Sequence, residues 1–303
     1  MRLFAISDLH VSHPINRDGV ASMGEYPDDW LIVAGDVGEQ VKHLHFTLGH
    51  LTRRFAKVIW IPGNHDLWCP ADAIDRTRGQ ARYDELVDIC RSYGALTPED
   101  PYVVWPPSTQ SPQIPTSQSP HFPIYLCPLF LLYDYSFRPP EITREQAIPW
   151  ARQSGVVCGD ELLLDPAPWP SREAWCHARC DAAEQRLSEL PAGAQTVLIN
   201  HWPLRYDLAR PPRVPRFSIW CGTTRTEDWP ARFRARAVVS GHLHLRTTLV
   251  RNGVRHEEVS LGYPRDWQHS RGVDSYLREV LPDETAGERF VSARDPFMMR
   301  QPG

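Results

Sequence analysis

A chain of 303 residues, 42% hydrophobic and 23% charged with a formal net charge of −4, reads as one globular domain with room for a substantial insertion. That charge disfavours duplex nucleic acid as a partner, although Lys42 and Lys57 are the only lysines and the arginine-dominated remainder suits bidentate phosphate contacts. No apolar run approaches the roughly 20 residues of a membrane helix, the opening MRLFAISDLH leaves no room for a signal peptide, and seven cysteines without CxxC spacing fit a reduced, cytoplasmic setting.

The first third alternates strand and helix. RLFAIS (2–7) runs into Asp8, WLIVAG (30–35) into Asp36, and KVIWIPG (57–63) into Asn64. Between the second and third runs, Val41, Leu44, Leu48, Leu51 and Phe55 recur at helical spacing. Strand–helix–strand order predicts parallel strands with right-handed crossovers, whose carboxyl ends are where open α/β sheets bind ligands. His43, His45 and His50 crowd the intervening helix and read as partly solvent-facing rather than metal-binding.

Residues 67–194 form a long interval before the next ligand-bearing strand. Within it RYDELVDICRSYG (82–94) predicts a helix stopped by glycine, and WPPSTQSPQIPTSQSPHFP (105–123) an exposed loop. IYLCPLFLLYDYSF (124–137) resumes as strand, and SREAWCHARCDAAEQRLSEL (171–190) as a helix opened by Ser171. Cys176 and Cys180 are four apart on that helix, but no second ligand pair completes a zinc tetrahedron. The last third returns to strands, with TVLIN (196–200) before His201 and AVVSG (237–241) before His242. TTLVRNGVRHEEVSLG (247–262) reads as a hairpin turning at Asn252-Gly253, and the polar carboxyl terminus as frayed.

Asp8, His10, Asp36, Asn64, His201, His242 and His244 therefore gather at strand ends as an oxygen-and-imidazole set suited to two divalent cations. A phosphate-ester hydrolase needs positive charge on the phosphate and a hydroxide source near neutral pH, and paired cations supply both. Asp36 is the natural bridging carboxylate. Asp8 with His10, and His242 with His244, alternate so that each pair can face one cavity. The neutral amide of Asn64 limits negative charge where an anion must approach. Mixed N/O ligation suits Mn, with Fe, Zn or Ni as alternatives, and disfavours Ca. His65 follows Asn64 too closely to share its metal; it is expected to face substrate and assist the leaving oxygen, with Asp66 orienting its ring. Trp202, Arg213, Arg216, Trp220 and Arg225, between His201 and His242, are candidates for a substrate wall, the alternative being that they pack and solvate a small cap.

The pattern DLH (8–10), GDVGE (35–39), GNHD (63–66), His201 and GHLH (241–244) resembles the calcineurin-like metallophosphoesterase superfamily. The resemblance implies a four-layer α/β/β/α sandwich with two mixed sheets and a dimetal site at the sheet edges. It further implies that Asp8, His10, Asp36 and His244 hold one metal, that Asp36, Asn64, His201 and His242 hold the other, and that His65 is catalytic. Leu67 and Trp68 stand where the superfamily's protein phosphatases carry Arg, which points away from a phosphoprotein substrate, and EVSLGYPRDW (258–267) resembles small bacterial members. The expectation is a single domain over 1–303, with a cap-like insertion over roughly 95–190 and a substrate-lining loop over roughly 203–235. It is expected to act on a small-molecule phosphomonoester, through water held between the cations. The alternative is a phosphodiesterase, nuclease or nucleotide pyrophosphatase, and a non-catalytic metal-binding scaffold is a third reading that intact ligand positions disfavour.

Overall fold

A computed structural model describes residues 1–69, 77–106 and 122–282. Most of the Pro/Ser/Thr/Gln-rich loop, and most of the carboxyl-terminal segment, lie outside those residues.

The apolar runs become strands buried on both faces, which is why they lack polar alternation. β1 (Leu3–Ile6), β2 (Tyr26–Ala34) and β3 (Phe55–Ile61) pair in parallel, and β10 (Arg278–Leu281) joins β1 antiparallel to complete a four-stranded sheet. α1 (Pro14–Ala21) and α2 (Val41–Arg54) make the crossovers. A six-stranded sheet follows the order β4 (Val103–Val104), β5 (Ile124–Pro128), β6 (Gln195–Ile199), β7 (Ala235–Ser240), β9 (Val254–Glu258), β8 (Thr248–Arg251). Its four central strands are parallel and its two edges antiparallel, so both sheets are mixed.

Alternate residues of each strand face opposite ways. Leu3, Ala5, Ile32, Ala34, Ile59 and Ile61 of the first sheet meet Leu126, Val197, Ile199, Ala237 and Val239 of the second in a dry inner core. Their neighbours Phe4, Ile6, Leu31, Val33 and Trp60 face outward and join Leu44, Leu48 and Leu51 of α2. On the other outer face Leu198 and Val238 share a cluster with Trp175, Cys176 and Ala183 of α7 (Arg172–Ser188). The result is the expected sandwich of two sheets between helical layers.

The other α-helices among the described residues are α3 (Asn64–Leu67), α4 (Gly79–Ser92), α5 (Arg144–Arg152), α6 (Asp160–Leu163) and α8 (Trp229–Arg232). Ser171 caps α7, accepting from the amide of Ala174 at 3.1 Å. Asn252 and Gly253 both take positive φ, 51° and 78°, and turn β8 into β9 as their types predict. Two local expectations change. The strand expected over 124–137 ends at Pro128, where the fixed ring removes a ladder donor, and the apolar residues 129–133 continue as irregular buried chain. His43 is buried rather than solvent-facing, packed at the start of α2 with Glu39 3.8 Å from its Nδ1. All seven cysteines are free thiols.

Candidate metal centre

Five parallel strands deliver their carboxyl ends to one place: Asp8 and His10 follow β1, Asp36 follows β2, Asn64 follows β3, His201 follows β6, and His242 and His244 follow β7. Ser7 and Ser260 bridge the two sheets there, so residues distant in sequence share one floor. Glycines make the approach possible. A Cβ on Gly63 would collide with the Asp36 carboxylate, and one on Gly241 with Ser7 Oγ and Asp8 Oδ2.

All seven predicted ligand residues come together in two subsets. Asp8 Oδ1 lies 3.0 Å from His244 Nε2, which lies 3.3 Å from His10 Nε2. Asn64 Oδ1 lies 3.3 Å from His201 Nε2 and 3.1 Å from His242 Nδ1. Asp36 stands between them, its Oδ2 3.5 Å from His201 Nε2, while ligand atoms of Asp8, Asp36 and His201, and of His10, Asp36 and His65, fall within 4.8 Å of one another.

Surrounding hydrogen bonds aim these atoms. His201 Nδ1 is 2.8 Å from the carbonyl of Ala34, which turns Nε2 toward the cluster. His244 Nδ1 lies 3.1 Å from Asp266 Oδ2, and Asp8 Oδ2 accepts from Ser7 and Ser260 at 2.6 and 2.8 Å. Burial works against charge on Asp8 and Asp36. Even so, His244 beside the first and His201 beside the second hold both carboxyls below their ordinary range. In return His201 and His244 are raised to about 9 and about 10, against their own burial, by Asp36 and Asp8 respectively. Burial drives His10 and His242 the other way, to about 4 and about 3. Protons on His201 and His244 thus balance the two carboxylates, a charge that metal cations could equally supply, and the donor set of carboxylates, imidazoles and one amide oxygen fits two divalent first-row cations.

His65 enters from α3 with Nε2 4.0 Å from Asp36 Oδ2. Burial lowers its basicity, but Asp36 and Glu39 outweigh that and leave it raised. Its ring is oriented by Glu39, whose Oε1 lies 3.1 Å from His65 Nδ1, and not by Asp66 as expected. Asp66 turns back onto its own loop and accepts from the backbone amides of Asp36, Val37, Gly38 and Gly63 at 2.9–3.3 Å. Residue 66 thus shapes the GDVG turn, while Glu39, pulled down to about 2 by its bond to His65 despite burial, serves the ring.

The five residues expected as a substrate wall separate. Trp202 is fully buried, edge-on to His201 at 5.1 Å. Trp220 is buried and donates to Glu161, Arg216 lies over the Trp150 ring, and Arg225 pairs with Asp181 on the exposed surface, all contacts of the surrounding segment. Arg213 is exposed on the loop. The half-buried rings that do meet the cluster are others: Trp68 over His65 at 3.6 Å, Tyr263 stacked on His10 at 4.4 Å, and Phe217 stacked on His242 at 5.5 Å. Only their nearness to the motifs hinted at them. Asp160, which accepts from Asn64 Nδ2, had no signal in the sequence.

Against known proteins, the family model for calcineurin-like phosphoesterases matches residues 1–246. An acyl-carrier-protein phosphodiesterase, PptH of Mycobacterium tuberculosis, is 46% identical over 287 residues, spanning 93% of this chain and 83% of that protein. The crystal structure of the phosphopantetheinyl hydrolase PptH from the same organism superposes with a TM-score of 0.83 at 46% identity, over 93% of this chain and 96% of that one. A dimetal phosphatase from Danio rerio gives a TM-score of 0.44 at 11% identity, over 89% and 90% of the two chains, too remote to bear on chemistry. Among the described residues no helix is long and apolar enough to cross a membrane.

Proposed function

The chain belongs to the calcineurin-like phosphoesterase family of dimetal phosphoester hydrolases, and from that premise we propose that it cleaves the phosphodiester linking a phosphopantetheinyl arm to an acyl carrier protein. The observation that carries the reading is the 46% identity to PptH across 93% of the chain. It favours the phosphodiester alternative over the small-molecule phosphomonoester first expected. Net charge and a long insertion speak to the size of a substrate, not to the number of ester bonds on its phosphorus.

In this reading Asp8, His10, Asp36 and His244 would hold one divalent cation and Asp36, Asn64, His201 and His242 the other. Manganese is the first candidate, with Fe, Zn or Ni able to use the same donors. Two such cations supply Lewis acidity and lower the pKa of water. The chain's own groups do the rest. His65, held by Glu39 at Nδ1, presents Nε2 beside the cluster and gives its proton to the departing carrier-side oxygen as the oxygen of water bonds to phosphorus and the old phosphorus–oxygen bond breaks. Trp68, Tyr263 and Phe217 offer uncharged, half-buried surface for a neutral amide-linked arm. The segment 95–190 contributes Asp160 and the loop 203–235 contributes Phe217, in keeping with a single domain.

The test is incubation of the Mn²⁺-loaded protein with a holo acyl carrier protein, read by mass spectrometry. Loss of the phosphopantetheinyl group is the expected outcome, together with faster turnover of bis-p-nitrophenyl than of mono-p-nitrophenyl phosphate. An intact carrier beside brisk monoester turnover would return the assignment to a phosphomonoesterase.

A further inference from the structure

Behind the cluster lies a carboxylate with no place in the ligand set. Asp160 opens α6, 96 residues beyond Asn64, and its Oδ1 accepts from Asn64 Nδ2 at 2.9 Å and from Trp68 Nε1 at 2.7 Å. It is 0% exposed, and its Oδ2 has no hydrogen-bond partner among the described residues. Burying a carboxyl with one oxygen unsatisfied is costly, so packing alone does not explain an acid here. Its backbone is clamped as well. Arg172 donates to the Asp160 carbonyl at 2.6 Å and to Glu161 at 3.3 Å, and Glu161 also accepts from Trp220 at 2.7 Å.

What the carboxyl provides is direction. The two ends of an asparagine amide are nearly equal in size and opposite in chemistry. Turned over, Asn64 would aim its NH₂ at His201 and His242 and could hold no cation. An acceptor fixed behind Nδ2 leaves only the orientation in which Oδ1 faces those two rings. We infer that Asp160 is a positioning residue of the metal centre, locking the Asn64 amide so that its oxygen is presented to one cation. The inference rests on reading Asn64 as a ligand.

Calorimetric titration of the metal-stripped full chain with MnCl₂ separates the two claims. Wild type is expected to bind two ions; a wild type that does not would sink the ligand assignment itself. Asp160→Ala is expected to weaken one site about 10–100-fold while sparing the other, as loss of an outer-shell partner typically does. In an Asn64→Ala background the same substitution should add almost nothing, since its target is gone. Unchanged affinity, equal weakening of both sites, or full additivity with Asn64→Ala overturns the inference. Should Asp160→Ala fail to fold, the near-isosteric exchange decides. Asn64→Asp alone sets two carboxylates face to face and is expected to weaken the site shared with His201 and His242, whereas Asn64→Asp with Asp160→Asn restores donor and acceptor and regains it. No recovery in the double variant overturns the inference equally.

Discussion

Asp8, His10, Asp36, His242 and His244 all adopt positive φ, between 40° and 74°, a region that side chains with a Cβ avoid. Each such residue costs about 1–3 kcal/mol and persists only where its surroundings over-determine it. Here the determinants are the sheet-edge hydrogen bonds and the glycines beside them. Gly63→Ala, whose new methyl meets the Asp36 carboxylate, is expected to abolish two-metal loading in elemental analysis, and full metal content would refute the steric argument. At His65 two substitutions separate chemistry from orientation. His65→Ala should keep both cations and lose about 10²–10⁴ in kcat, while Glu39→Gln should lose about 10-fold or more with metal content again unchanged. A Glu39→Gln variant with full kcat would return the orienting role to another group. The seven clustered residues were legible in the sequence because each follows closely on an apolar run. The partners of His65 and Asn64 were not: Glu39 and Asp160 meet them across 26 and 96 residues, and adjacency in sequence misassigned Asp66, which points into its own turn.

Among the elements, those with local signals matched. The Asn252-Gly253 hairpin and the Ser171-opened helix are properties of a few consecutive residues. Removing the cap with Ser171→Ala should cost about 1 kcal/mol in denaturant unfolding and leave kcat untouched. A fall in kcat would show that α7 couples to the site. The shortened β5 was not legible, because a buried apolar run looks the same whether or not a neighbouring strand pairs with it. β9 carries a pH liability. Burial, helped by Arg205, lowers His256 from 6.5 to about 4, so the folded state resists its protonation. Its contribution is complete above pH 6.5 and is lost as pH falls towards 4, amounting to about 3 kcal/mol at most. The slope of stability against pH over that window should flatten in His256→Leu; an identical slope would place the proton uptake elsewhere.

For the molecule as a whole, the two sheets cannot part without dismantling the centre, since His201 and His242 come from one and Asp8, Asp36 and Asn64 from the other. Cation binding is therefore folding energy. Mn²⁺ at about 100 times its Kd should stabilise by about 2.7 kcal/mol, read as a rise in Tm that chelator reverses and that His201→Ala diminishes. An unchanged Tm would mean that the cage is equally rigid without its ions. The antiparallel pairing of β10 with β1 carries a last consequence. On the ribosome, the amino-terminal strand emerges first but finds its edge partner only when residues 278–281 follow, and Ser260, which steadies Asp8, also arrives late. A nascent chain halted before that point presents a bare strand edge and an untethered first carboxylate, so catalytic competence waits until residues 260–281 have been made.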